Sequence, residues 1–163
     1  MSLDILRQEF LDEAAKTRKM LSAIPENSID WRPHVKSSTL GQLAMHVANN
    51  PVWITVILDS QEYDFNDRLE PAPKPDSKNI ILDHFEKRIS ESMKSLDKIT
   101  VGELDKLWTC RQGDKIYFSI SKEAAIRSFT MNHLIHHRGQ LSVYLRLLDI
   151  PVPGMYGPSG DGI

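Results

Sequence analysis

One helical turn near the C-terminus, His133-Leu134-Ile135-His136-His137-Arg138-Gly139-Gln140, carries the side chains best suited to chemistry in this chain. Residues four apart on a helix share a face, with Cβ atoms about 6 Å apart, so His133 and His137 can grip one ion. That is the spacing by which HExxH helices hold zinc. His136 lies three residues from His133 and competes with His137 for the role, since one helix cannot easily aim both at the same ion. Two ligands make a weak site, and the candidate third is His46, in the helical-looking run 39–50. Three histidines brought together by a bundle leave coordination positions open, which is the pattern of catalytic more than structural sites. His34 and His84 have no partner at helical spacing and read as surface or loop residues.

Three neutral imidazoles leave a divalent ion its full charge, so a coordinated water becomes acidic near neutral pH. Zinc, nickel and ferrous iron all suit this ligand set. Leu134 stands where a zincin carries its catalytic glutamate, which argues against a metalloprotease. Arg138 and Gln140 lie close enough to His137 to orient water, substrate or a ligand ring. Their ordinary alternatives are a solvent-facing arginine and an interhelical hydrogen bond. Cys110, the only cysteine, reads as a small buried hydrophobe and suits a reducing cytoplasm.

Positioning these side chains needs helices, and the chain has the material for them. Its 163 residues fit one domain, 1–163, able to bury roughly 70% of its unfolded surface. A net charge of -2 gives no footprint for nucleic acid, and no basic cluster suits an anionic membrane. No window approaches the ~20 apolar residues of a membrane span, and the N-terminus lacks the apolar core of a signal peptide.

Four long helical segments stand out. Ser2 is placed to cap the first, whose stripe Leu6, Phe10, Ala14, Thr17, Leu21 steps by four and three until Pro25 ends it. Residues 25–38, with Trp31 among them, read as an ordered loop. Thr39-x-x-Gln42 is a capping-box pattern opening a second helix, with Leu43, Val47, Asn50 and Ile54 on one face and His46 at its edge. Pro51 interrupts that helix, and a kink is expected rather than a break. Residues 59–76, with three prolines, read as a polar linker. Ser77 opens the third helix, along Ile81, Phe85, Ile89, Met93 and Leu96. Two β-like runs flank Gln112-Gly113-Asp114, a small hairpin. Ser121 caps the last helix, which carries the histidines to about Asp149. Packing is the default role for Trp31, Trp53 and Trp108. The expected architecture is all-α, a four-helix bundle with one or two long crossovers and a small β-hairpin before the last helix.

These residues resemble a known family. His46 within Leu43-Ala-Met-His-Val-Ala, the block His133-x-x-His136-His137-Arg-Gly-Gln-Leu, the segment Asp30-Trp31-Arg32-Pro33 and the closing run Ile150-Pro-Val-Pro-Gly-Met-Tyr-Gly-Pro are similar to those of the DinB-like (YfiT-like) metal-dependent proteins. The resemblance spans essentially the whole chain. It implies an up-down-down-up bundle, often dimeric, with metal ligands at His46, His133 and His137 and His136 as a neighbour. It also implies two enzyme types, a thiol-dependent S-transferase or isomerase using a low-molecular-weight thiol, with a metal hydrolase as the adjoining option. The competing expectation is a non-catalytic metal-binding or stress-response module, and a third has no metal, with the histidines satisfied in a polar core.

Overall fold

The computed structural model describes residues 3–162. Ser2, the expected cap of the first helix, lies outside the described residues. Helix α1 spans Leu3–Ser22 and buries the expected stripe of Leu6, Phe10, Ala14, Thr17 and Leu21. Thr39 and Gln42 form the full capping box, each side chain meeting the other's backbone N–H, and open α2 at Leu40–Asn49. Asn50 and Pro51 keep helical dihedrals and lead directly into α3, Val52–Asp59. The second segment is thus one helix kinked at proline, whose missing N–H interrupts the ladder.

After α3 a short strand β1, Glu62–Asp64, precedes the proline-rich stretch that leads to α4, Lys78–Lys98. Ser77 caps α4 by accepting from the Ile80 N–H. A single turn, α5 at Val101–Leu104, leads to the hairpin of β2, Leu107–Gln112, and β3, Lys115–Ser121. Gly113 turns the hairpin at φ +55°, a conformation that favours glycine. The polar linker contributes β1 to this sheet, parallel to β2, which periodicity did not reveal because three residues show no period. Asp64 anchors it, accepting from the Asn66 and Gly113 N–H groups and pairing with Arg111.

The last helix begins under the Ser121 cap as α6, Lys122–Ile126, widens to a π-helical stretch at Arg127–Asn132, and continues as α7, His133–Leu147. It ends with Asp149 at φ 56° and the Ile150 N–H bonded to the Leu145 carbonyl, a Schellman closure before Pro151.

Cross-helix pairs give the course of the bundle. Arg7 bonds the Leu96 carbonyl while Arg18 pairs with Glu86, so α1 and α4 run antiparallel. Asn49 bonds His84 and Ser95 bonds Asp59, so α2–α3 and α4 run parallel. Asn50 meets Phe129 and Ser38 meets Tyr144, so α2 and α7 run antiparallel. The order is up-down-down-up, with the segment between α3 and α4 as the long crossover that two parallel consecutive helices require.

Two polar residues sit deeper than their sequence suggests. His84, read as a surface residue, is buried and donates to Asn49 Oδ1 at 2.8 Å, sharing that oxygen with Arg88 Nε at 3.0 Å. Burial, followed by the charges of Arg88 and Lys87, pushes its pKa down. Arg138, for which a solvent-facing position was the ordinary alternative, is buried against α1. It donates to Glu13 Oε2 at 2.5 Å, to the Glu13 carbonyl and Thr17 hydroxyl at 3.1 Å each, and to the Tyr156 hydroxyl at 2.6 Å. This cluster ties α7 to α1 and to the C-terminal segment, and so holds α7 at the rotation that turns its histidines toward α2.

Candidate metal centre

His46 projects from α2 toward α7, where His133 and His137 stand one turn apart. The His46 and His133 Nε2 atoms are 3.2 Å apart, and those of His133 and His137 are 2.7 Å apart. A ligand atom from each of the three lies within 4.8 Å of the others. Nitrogens about 2.0–2.1 Å from a tetrahedral zinc would sit about 3.3 Å from one another, so this spacing fits a shared ion. His136, the competing candidate, is exposed and outside the cluster, with its Nε2 3.1 Å from the Gln140 amide nitrogen.

Supporting contacts aim the rings. The His137 Nδ1–H donates to Gln140 Oε1 at 2.8 Å, which leaves the His137 Nε2 lone pair for the cluster. On the other ring the support comes from the π-helical stretch. There the His133 backbone N–H bonds the Thr130 carbonyl. The Asn50 amide donates to the Phe129 carbonyl at 3.1 Å. Asn50, four residues beyond His46 on the same face, therefore braces both helices at the site. Its place as a polar residue on an apolar stripe was a signal for such a role. The π-helical stretch had none in the sequence.

Electrostatics keep the cluster ready for a cation. His46 presents its outer edge to solvent, yet its inner atoms are desolvated. Burial, then the neighbouring His137 and His133, push its pKa down to about 4. His133 is also lowered, by burial first and by His137 next, against the opposing pull of the Phe129 carbonyl. Crowded neutral imidazoles that resist a proton are suited to a metal, which replaces the proton as the shared positive charge.

A cleft of about 560 Å³ opens beside His46 and His137, along the groove between α2 and α7. Ser37 and Ser38 are among the residues that line it. Their loop is seated by Gly41, where a Cβ would fall 2.5 Å from an Ile29 methyl carbon. Tyr144 lines the cleft, and Trp31 stands edge-on behind it with ring centroids 5.8 Å apart. Trp108 is wholly buried, and Trp53 packs between Tyr63 and Phe129. Cys110 is buried, and burial raises its thiol pKa. Leu134, at the zincin glutamate position, lies in the core.

Fold and site together define a class, a helical bundle with a three-histidine cluster that could hold a metal between two of its helices. The chain belongs to the DinB family, whose sequence profile matches residues 1–161. The uncharacterised protein YrdA of Bacillus subtilis (strain 168) is 26% identical, over 98% of this chain and 91% of that protein. A DinB-like protein from Bacillus cereus ATCC 10987 has a similar crystal structure, with a TM-score of 0.73 at 24% identity over 91% of this chain and 94% of that one. The DinB-like protein YjoA of Bacillus subtilis gives a TM-score of 0.71 at 18% identity, over 91% of this chain and 96% of that one. Both likenesses bear on the fold.

Proposed function

We propose that this chain is a divalent-metal-dependent enzyme, a transferase or hydrolase acting on a small molecule in the cleft beside the three imidazoles. The observation that carries the reading is the convergence of the His46, His133 and His137 nitrogens at the wall of that cleft. Zinc, nickel or ferrous iron held there would act as a Lewis acid on a coordinated water or thiol. His46, His133 and His137 supply the ligands, Gln140 sets the His137 tautomer, and Asn50 ties the helix of His46 to the turn before His133. A low-molecular-weight thiol is the proposed co-substrate of the transferase branch, by family resemblance. Cys110 takes no part, being buried with its thiol pKa raised. The same reading makes the protein a cytoplasmic homodimer, on its lone cysteine and on that resemblance.

The alternative is a non-catalytic metal-binding or stress-response module. A structural ion usually takes four protein ligands, whereas three histidines make up the cluster among the described residues, which favours the enzyme. Elemental analysis of untagged protein purified without chelator tests the proposal. About one transition-metal ion per chain is expected in the wild type, with loss in His46→Ala and in His133→Ala. No ion as purified, and none taken up from zinc or nickel, would overturn it. If an ion is bound, thiol and ester substrate screens separate the two enzyme branches.

A further inference from the structure

We infer that the cleft takes a partly apolar molecule whose body is uncharged and which bears one metal-binding group, an assignment that rests on the proposed metal function. The two histidines form one wall. Leu43, Val143 and Tyr144 supply apolar surface, and Ser37, Ser38 and Gln140 supply neutral polar groups. Among the described residues, no lysine, arginine, aspartate or glutamate lines the cleft. A second cavity in the same molecule, of about 400 Å³ under the proline-rich stretch, is by contrast lined by Glu70, Asp83, Lys87 and Arg88.

The neutral lining decides what fits. A carboxylate or ammonium on the body of a ligand would lose water on entering the groove and meet no counter-charge there. The donor group alone would be compensated, by the ion. Gln140 is already committed to His137 and His136, and the Tyr144 hydroxyl donates to the Ser38 carbonyl at 3.2 Å. The hydroxyls of Ser37 and Ser38 are thus the polar groups left to meet a hydroxyl or carbonyl of the ligand. The volume is that of an ordinary small-molecule site.

The test uses protein loaded with cobalt(II), whose visible spectrum reports a change in coordination, and two probes that differ by one carboxylate. Benzohydroxamate and 4-carboxybenzohydroxamate are each titrated, after cobalt uptake has been measured separately. The carboxylated probe is expected to bind about tenfold or more weakly. Val143 is 56% exposed, so Val143→Lys should fold, keep its cobalt and narrow that gap by tightening the carboxylated probe. Cobalt uptake with equal or tighter binding of the carboxylated probe, or with no spectral response to either, overturns the cleft assignment alone. Failure to take up cobalt overturns the metal reading, and this assignment with it.

Discussion

Gln140 Oε1 accepts the Nδ1–H of His137 at 2.8 Å, while the Gln140 amide nitrogen donates to His136 Nε2 at 3.1 Å. A side-chain amide has one acceptor end and one donor end, so His136 on the donor side keeps the carbonyl turned to His137. With its Nδ1 proton committed, a neutral His137 has its lone pair on Nε2, the atom that faces His133. His136 thereby assists the site without joining it.

Gln140→Leu removes that hydrogen bond at a solvent-exposed position and should leave the fold intact. Loss of a ring-orienting partner of this kind weakens metal binding by about 10–100-fold. Competition with a chromophoric zinc chelator measures the change. Affinity equal to wild type would mean that packing alone orients His137.

Asn50→Leu tests the brace at the Phe129 carbonyl. The substitution keeps the branched shape of the side chain but withdraws a donor from a part-buried carbonyl, a loss of about 1 kcal/mol. Urea unfolding of the metal-free protein should show that decrease, and zinc affinity should fall with it because Asn50 ties the helix of His46 to the turn that leads into His133. A stability loss with unchanged affinity would confine Asn50 to packing.

The parts of the site legible in sequence were those encoded within one helix or by one cap. Thr39 and Gln42 announce a helix start through local hydrogen bonds, and His133 and His137 share a face by spacing alone. The parts that escaped depend on distant partners. Arg138 is buried because Glu13, Thr17 and Tyr156 meet it there, and nothing within a turn of Arg138 signals them. His84 is buried for the same kind of reason, through Asn49. Strand β1 forms because β2 offers an edge, not because Glu62–Asp64 has a strand pattern of its own.

The crowded imidazoles predict how the metal-free protein responds to acid. His46 ordinarily titrates near 6.5 but is pushed down to about 4 in the fold, with His133 shifted in the same direction. Between those two pH values the unfolded chain holds a proton that the folded chain refuses. Stability should therefore fall as pH drops through that window. Thermal unfolding of chelator-treated protein between about pH 7 and pH 5 should show the decline, and His46→Phe should flatten it. An unchanged slope in the variant would remove His46 as its source.

The Arg138–Glu13 pair should carry more stability than any surface ion pair in the chain, since its side chains are only 2% and 7% exposed. Burial works to raise the Glu13 carboxyl pKa, but hydrogen bonds from Lys16, Arg138 and Tyr156 outweigh it and hold the group below its usual 4.5. The stabilisation is thus present above that value and is lost as pH falls below it, where the unfolded chain takes up the proton first. Arg138→Met leaves the buried carboxylate with Lys16 and Tyr156 as its partners, so the loss should fall toward the low end of the about 3–5 kcal/mol that breaking a buried pair costs. Adding Glu13→Leu removes the under-compensated charge, so the double variant should recover part of that loss in urea unfolding. A double variant no more stable than the single one would show that Arg138 matters through its contacts with Thr17 and Tyr156, not through charge. Because the cluster sets the rotation of α7, Arg138→Met should also weaken zinc binding, although Arg138 touches none of the three histidines.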